Sequence, residues 1–88
     1  MSIFMIVEVN STPRDVLGKK IIETYPDEHY SLEGGNWLVS DSTTAKAISD
    51  KLGLTEGEAG SAVIVEAASY YGRANPAIWS WIKDKWEG

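Results

Sequence analysis

The 88-residue chain, 43% apolar and 24% charged, has enough material for one modest core, so a single domain over residues 1–88 is expected. It contains no cysteine, which excludes a disulfide framework, a thiolate zinc site and a catalytic thiol. Its net charge of −5 argues against a general binder of phosphate backbones, which needs clustered Lys and Arg, and fits a cytoplasmic protein that does not engage nucleic acid.

The N-terminal stretch Met1 to Glu8 has no basic region, and its apolar run is too short for a signal peptide. No run reaches the roughly 20 apolar residues of a membrane helix, so no membrane contact is expected. Ile3 to Val9 is apolar except at Glu8 and is bounded by Asn10-Ser11-Thr12-Pro13, the pattern of a strand covered on both faces. Thr12 before Pro13, with Asp15 three residues after Thr12, reads as an N-cap, a proline at the first helical position and a capping-box variant. A helix over 13–24 follows, with Val16, Leu17, Ile21, Ile22 and Tyr25 on its apolar side and Pro26 closing it. Gly18 inside that helix costs about 1 kcal/mol relative to Ala and marks close packing on a sheet.

Residues 27–41 read as a hairpin. Tyr30 and Leu32 share a face, Gly34-Gly35 supplies the positive φ of a primed turn, and Asn36 to Ser40 returns. A second helix is expected from Ser42 or Thr43, with Asp41 and Ser42 as rival caps and Ala45, Ile48 and Leu52 on its apolar side. Gly53 suits the left-handed position after its end, and Leu54 the hydrophobic contact that goes with it. Thr55 to Gly60 is glycine-rich and acidic, hence an exposed loop. Ser61 to Ala67 reads as a second buried strand.

Tyr70 to Asn75 is a loop, and Asn75-Pro76 a strong helix start. In the helix that follows, Ile78, Trp79, Trp81, Ile82, Lys85 and Trp86 fall within an arc of about 160°. This stripe holds three of the four tryptophans. Lys85 interrupts it, but its methylene stem can lie along apolar surface.

The order strand, helix, strand, strand, helix, strand matches a ferredoxin-like βαββαβ unit of the α+β class, with a Trp-rich helix added at the C-terminus. That arrangement makes the strand at 61–67 an edge, although Val63 and Val65 point one way and Ala62 and Ile64 the other. An edge apolar on both faces is an aggregation template if left bare. Two covers are expected: the Trp-bearing helix folded onto the free face, and a second copy of the chain in a homodimer.

Few constellations suggest chemistry. Asp27-Glu28-His29 alternate faces on a strand and do not converge on a general base or a metal. One histidine implies no serine triad. No P-loop or dinucleotide fingerprint is present, so no cofactor is expected. Tyr70-Tyr71-Gly72-Arg73 joins aromatic rings to a guanidinium, the residue types that dominate protein-contact hot spots, and Trp79 and Trp86 belong beside it as interface candidates. Glu56, Glu58, Asp27, Glu28 and Glu33 form either a solvated acidic rim or a surface imitating nucleic acid.

The first strand, ending Ile6-Val7-Glu8-Val9-Asn10, resembles the Ile-Tyr-Asp-Leu strand of CRISPR spacer-acquisition nucleases. Those are small ferredoxin-like homodimers related in fold to the virulence-associated protein D ribonucleases. The texture is also similar to a set of small SinR-like proteins of the same fold, at Asn36-Trp37-Leu38-Val39-Ser40-Asp41 followed by a Ser/Thr-capped helix. The likeness covers residues 2–68. The nucleases carry a metal-binding Asp at the end of their first strand, where this chain has Glu8. The resemblance thus implies a magnesium site shared across a dimer, with Glu8 as its ligand and catalytic residue. From the residues themselves the leading expectation is a non-enzymatic, homodimeric protein-interaction domain. The alternatives are a divergent metal-dependent nuclease and an acidic mimic of nucleic acid.

Overall fold

A computed structural model describes residues 2–9, 16–57 and 59–86. The order is β1 (Ser2–Val9), α1 (Val16–Thr24), β2 (His29–Glu33), β3 (Asn36–Asp41), α2 (Ala45–Leu52), β4 (Ser61–Glu66) and α3 (Pro76–Lys85). The four strands form one sheet in the order β2-β3-β1-β4, with every neighbouring pair antiparallel. Each helical connection, through α1 and through α2, therefore joins two strands that have a third strand between them.

Strand alternation sorts the apolar residues into two cores. Phe4, Ile6, Trp37 and Val39 face α1 and α2, where Leu17, Ile21, Ile48 and Leu52 meet them, with Ala62 and Ile64 at the margin. Ile3 and Leu38 face the other way and pack with Ile82 of α3, flanked by Met5, Tyr30, Leu32, Ile78, Trp79, Trp81 and Trp86. The sheet is thus the middle of three layers. The two-sided apolarity of β1 follows from this: Ile3, Phe4 and Ile6 are all buried.

The local signals mostly act as the chain implies. Gly34 and Gly35 turn the hairpin at φ 61° and 84°. Gly53 takes φ 75° after α2, its N–H and that of Leu54 close on the carbonyls of Asp50 and Ser49, and Leu54 is buried. Asn75 caps α3 by accepting from the Ala77 N–H at 2.9 Å. In α3, the stripe from Ile78 to Trp86 turns inward, and Ser80, Lys83 and Asp84 face solvent. The Lys85 stem lies within the stripe, and its Nζ reaches Glu28 Oε1 at 3.1 Å. That contact ties the end of α3 to the segment before β2.

Four expectations are corrected. The cap of α2 is Thr44, whose Oγ1 accepts from the Ala47 N–H at 3.2 Å, and not Asp41 or Ser42. Asp41 instead ends β3, with its carboxylate engaged elsewhere. In α1 the 17, 21, 25 spacing faces the core, so Leu17, Ile21 and Tyr25 are buried and Val16 and Ile22, at the flanks of that arc, are exposed. In the 55–60 loop Ala59 is buried, with its N–H on the Gly53 carbonyl at 3.0 Å, while Thr55, Glu56 and Gly57 are exposed. Finally, α3 covers residues of β1, β2 and β3 and stops short of β4, leaving Val63 54% and Val65 43% exposed. The Thr12-Pro13-Asp15 helix start lies outside the described residues.

The α3 layer contributes stability through its buried seam. Ile82→Ala should cost about 2–4 kcal/mol in urea unfolding, the range for truncating a buried isoleucine, while Ser80→Ala on the exposed side should stay within about 0.5 kcal/mol.

Candidate protein-contact surface

β4 ends at Glu66, but the extended path continues, with the Ala67 N–H on the Ile3 carbonyl at 2.9 Å. The chain then runs without regular structure to the Asn75 cap, passing alongside α3. The Tyr70 ring stacks on Trp79, with centroids 6.0 Å apart and planes 24° from parallel. It also meets Trp86 edge-on at 5.0 Å and 68°. Two indoles thereby hold Tyr70, and the next residue, Tyr71, is fully exposed. Arg73 is exposed and forms no ion pair among the described residues.

Beside this segment lies an open groove of about 610 Å³ between α3 and the exit of β4. Its walls are Ile3, Met5, Leu38, Val65, Trp79 and Trp86, with Glu66 and Ser69 supplying polar groups. A smaller recess of about 240 Å³ sits between Tyr70, Tyr71, Trp79 and Lys83. The geometry divides the sequence candidates: Tyr70, Trp79 and Trp86 pack together as an aromatic wall, while Tyr71 and Arg73 project beside it. A mostly apolar concavity with a few polar groups is the usual form of a binding site.

The other candidates lie elsewhere. Glu8 sits on β1 opposite the hairpin, its backbone N–H bonded to the Gly35 carbonyl at 3.0 Å. Its side chain lies against Gly35, where an added Cβ would come within 3.3 Å of Oε1. Among the described residues no group of three His, Asp or Glu is placed to hold a metal ion. His29, half-buried, donates from Nδ1 to the Tyr25 carbonyl and lies 5.8 Å from the Trp37 ring, so it tethers the α1–β2 connection. Glu28 pairs with Lys85, and its Oε2, like Ser40 Oγ, is covered and has no hydrogen-bond partner among the described residues.

The sequence reading missed a polar junction on the other face of the sheet. Tyr25 Oη donates to Asp41 Oδ2 at 2.7 Å, Lys51 Nζ reaches the same oxygen at 2.8 Å, and the Ser42 N–H meets Oδ1 at 2.7 Å. Lys51 also lies 5.8 Å from the Tyr25 ring centroid. The junction joins the end of α1, the end of β3 and the last turn of α2. Burial alone would raise the Asp41 carboxyl, but the bonds from Lys51, Tyr25 and the Ser42 amide outweigh it and hold the group below its usual value. Burial, then the Asp41 hydrogen bond and charge, push the Tyr25 phenol well above its usual range. All three residues hold one another, which is a structural arrangement. The separation of 16 positions between Tyr25 and Asp41 carries no periodic signal that links them.

Comparison with family models, with curated proteins and with solved structures found no match to this chain.

Because the Asp41 carboxyl is lower in the folded than in the unfolded state, its stabilisation is present above the unfolded value of about 3.9 and is lost as pH falls through the folded value. Thermal stability should therefore drop on acidification below about pH 4. Asp41→Asn should be less stable than the natural chain at neutral pH, with the difference shrinking in acid. Tyr25→Phe should cost about 1 kcal/mol at neutral pH and move the Asp41 carboxyl upward in an NMR titration.

Proposed function

We propose that this chain is a small, non-enzymatic, cytoplasmic protein-contact domain that works as a homodimer, built on a ferredoxin-like βαββαβ unit with α3 as an addition. Support for the ferredoxin-like reading is the sheet itself. β1 and β3 are central, β2 and β4 are edges, and two helical crossovers each skip one strand. No described helix is long and apolar enough to cross a membrane.

The observation that carries the contact reading is the position of Tyr71. A tyrosine fully exposed beside an arginine, next to a groove walled by tryptophans, offers a partner apolar area, a cation and hydrogen-bond donors together. The partner fitting this surface is a protein presenting an apolar or aromatic side chain to the groove and an acidic group to Arg73. The nuclease reading, carried by the SinR-like and spacer-acquisition-nuclease resemblance, rests on Glu8 alone. The nucleic-acid-mimic reading draws on five carboxylates, of which Glu28 is paired with Lys85 and Glu58 lies outside the described residues.

A photo-crosslinking amino acid placed at position 69, an exposed position in the groove lining, should join the chain to a discrete protein in the cells that make it. Tyr71→Ala and Arg73→Ala should each lower capture of that protein about tenfold or more, as hot-spot truncations costing over 1.4 kcal/mol do. Both variants should melt with the natural chain, because both side chains are exposed. An unchanged set of partners at unchanged yield in both variants overturns this surface assignment.

A further inference from the structure

The two edges of the sheet differ in a way that the fold does not require. β2 is blunted as edge strands usually are: its register is irregular between Ser31 and Glu33, and Glu33 sits at φ 69°. β4 has none of these devices. Its pairing with β1 runs in unbroken register from Phe4↔Glu66 to Val9↔Ser61, and it holds no proline or glycine and one charge, Glu66, near its end.

Backbone phase shows which groups that edge presents. The Ala67 N–H bonds the Ile3 carbonyl, and antiparallel ladders alternate, so Ser61, Val63, Val65 and Ala67 direct their N–H and C=O at β1. Ala62, Ile64 and Glu66 direct theirs outward, with no described strand beyond them. On the face that α3 leaves uncovered, Val63 and Val65 stand half-exposed along the same edge.

We propose that this edge pairs with itself: two copies of the chain join antiparallel through Ala62 to Glu66, with the two-fold axis at Ile64, merging two four-stranded sheets into one. The proposal rests on the homodimer reading above and assigns its interface. A second copy fits because the strand is self-complementary. The extended stretch 61–67 has Ile64 at its midpoint, and pairing there keeps every outward group in phase with an outward group of the partner. Ala62 then faces Glu66 of the partner subunit, Val63 faces Val65 of the partner subunit, and no carboxylate opposes another. Three narrow pairs at two bonds each give about six intermolecular hydrogen bonds. A stable interface usually takes about 800 Å² from each partner, or about a seventh of the 5648 Å² that this chain exposes. One short edge with two half-exposed valines supplies less, so the dimer forms in a concentration-dependent way and strengthens as salt screens the repulsion between two chains of net charge −5.

The test is amide hydrogen exchange, read by NMR across a dilution series of the full chain, alongside light scattering. Protection of the Ala62, Ile64 and Glu66 amides should rise at least tenfold with concentration as the mass doubles. The Val63 and Val65 amides, bonded to β1 in either state, should change far less. Val63→Lys with Val65→Lys, which sets like charges opposite each other across the axis, should shift the midpoint of association at least tenfold upward while circular dichroism stays unchanged. A dimer whose Ala62, Ile64 and Glu66 amides exchange as fast as in the monomer overturns this interface and leaves the homodimer reading standing. A monomer at every concentration and salt overturns both. Concentration-independent protection of those amides that appears only with a copurifying protein assigns the edge to a foreign strand and likewise overturns self-pairing.

Discussion

The fold depends on the two-sided burial of β1. A strand with Phe4 and Ile6 on one face and Ile3 and Met5 on the other must lie in the middle of a sheet covered above and below. Two helices cover one face because they are the crossovers that build the sheet. The second face has no such helix, and without α3 it would present Ile3, Leu38, Tyr30 and Leu32 to water. Burying a side chain of this size is worth roughly 1.5–3 kcal/mol, a large fraction of the stability of a small domain. The tryptophans of α3 are accordingly a structural layer first, and their outer margin a contact surface second.

That division explains the form of the candidate site. Tyr70 closes the gap between Trp79 and Trp86, so the connection after β4 is anchored at one ring and free at the next residue. Since α3 lies over β1, β2 and β3, the groove and the bare flank of β4 fall on the same side of it. The two proposed surfaces, one for a foreign protein and one for a second copy, both come from where α3 ends its cover.

Much of this was legible in the sequence wherever a local rule decides. The run Ile3 to Val9, the Gly34-Gly35 turn, the Gly53 terminus and the Asn75-Pro76 start each depend on a few adjacent residues, and each is found as read. The errors arise where several residues compete or where tertiary placement decides. Asp41-Ser42-Thr43-Thr44 offers successive capping side chains; Thr44 takes the role, while the Asp41 carboxylate is held by Tyr25 and Lys51, neighbours in space that are distant in sequence. Val16 and Ile22 carry the right chemistry at the wrong angle. Nothing local distinguishes Tyr70, held by indoles, from Tyr71, which is exposed, because a residue-by-residue direction in an irregular segment is set by what it passes. The reach of α3 over three strands and not the fourth is likewise invisible in its own periodicity.

α3 is bound to the sheet by side chains and by the Lys85–Glu28 ion pair, with no rung of the ladder passing through it. It follows a connection of irregular structure, so an opening of this layer alone would break no strand pairing. Trp79, Trp81 and Trp86 would leave with it, and Trp37, on the opposite core, would stay. The indole fluorescence of this chain is therefore a built-in two-channel gauge: three emitters report the detachable lamina and one reports the body it covers.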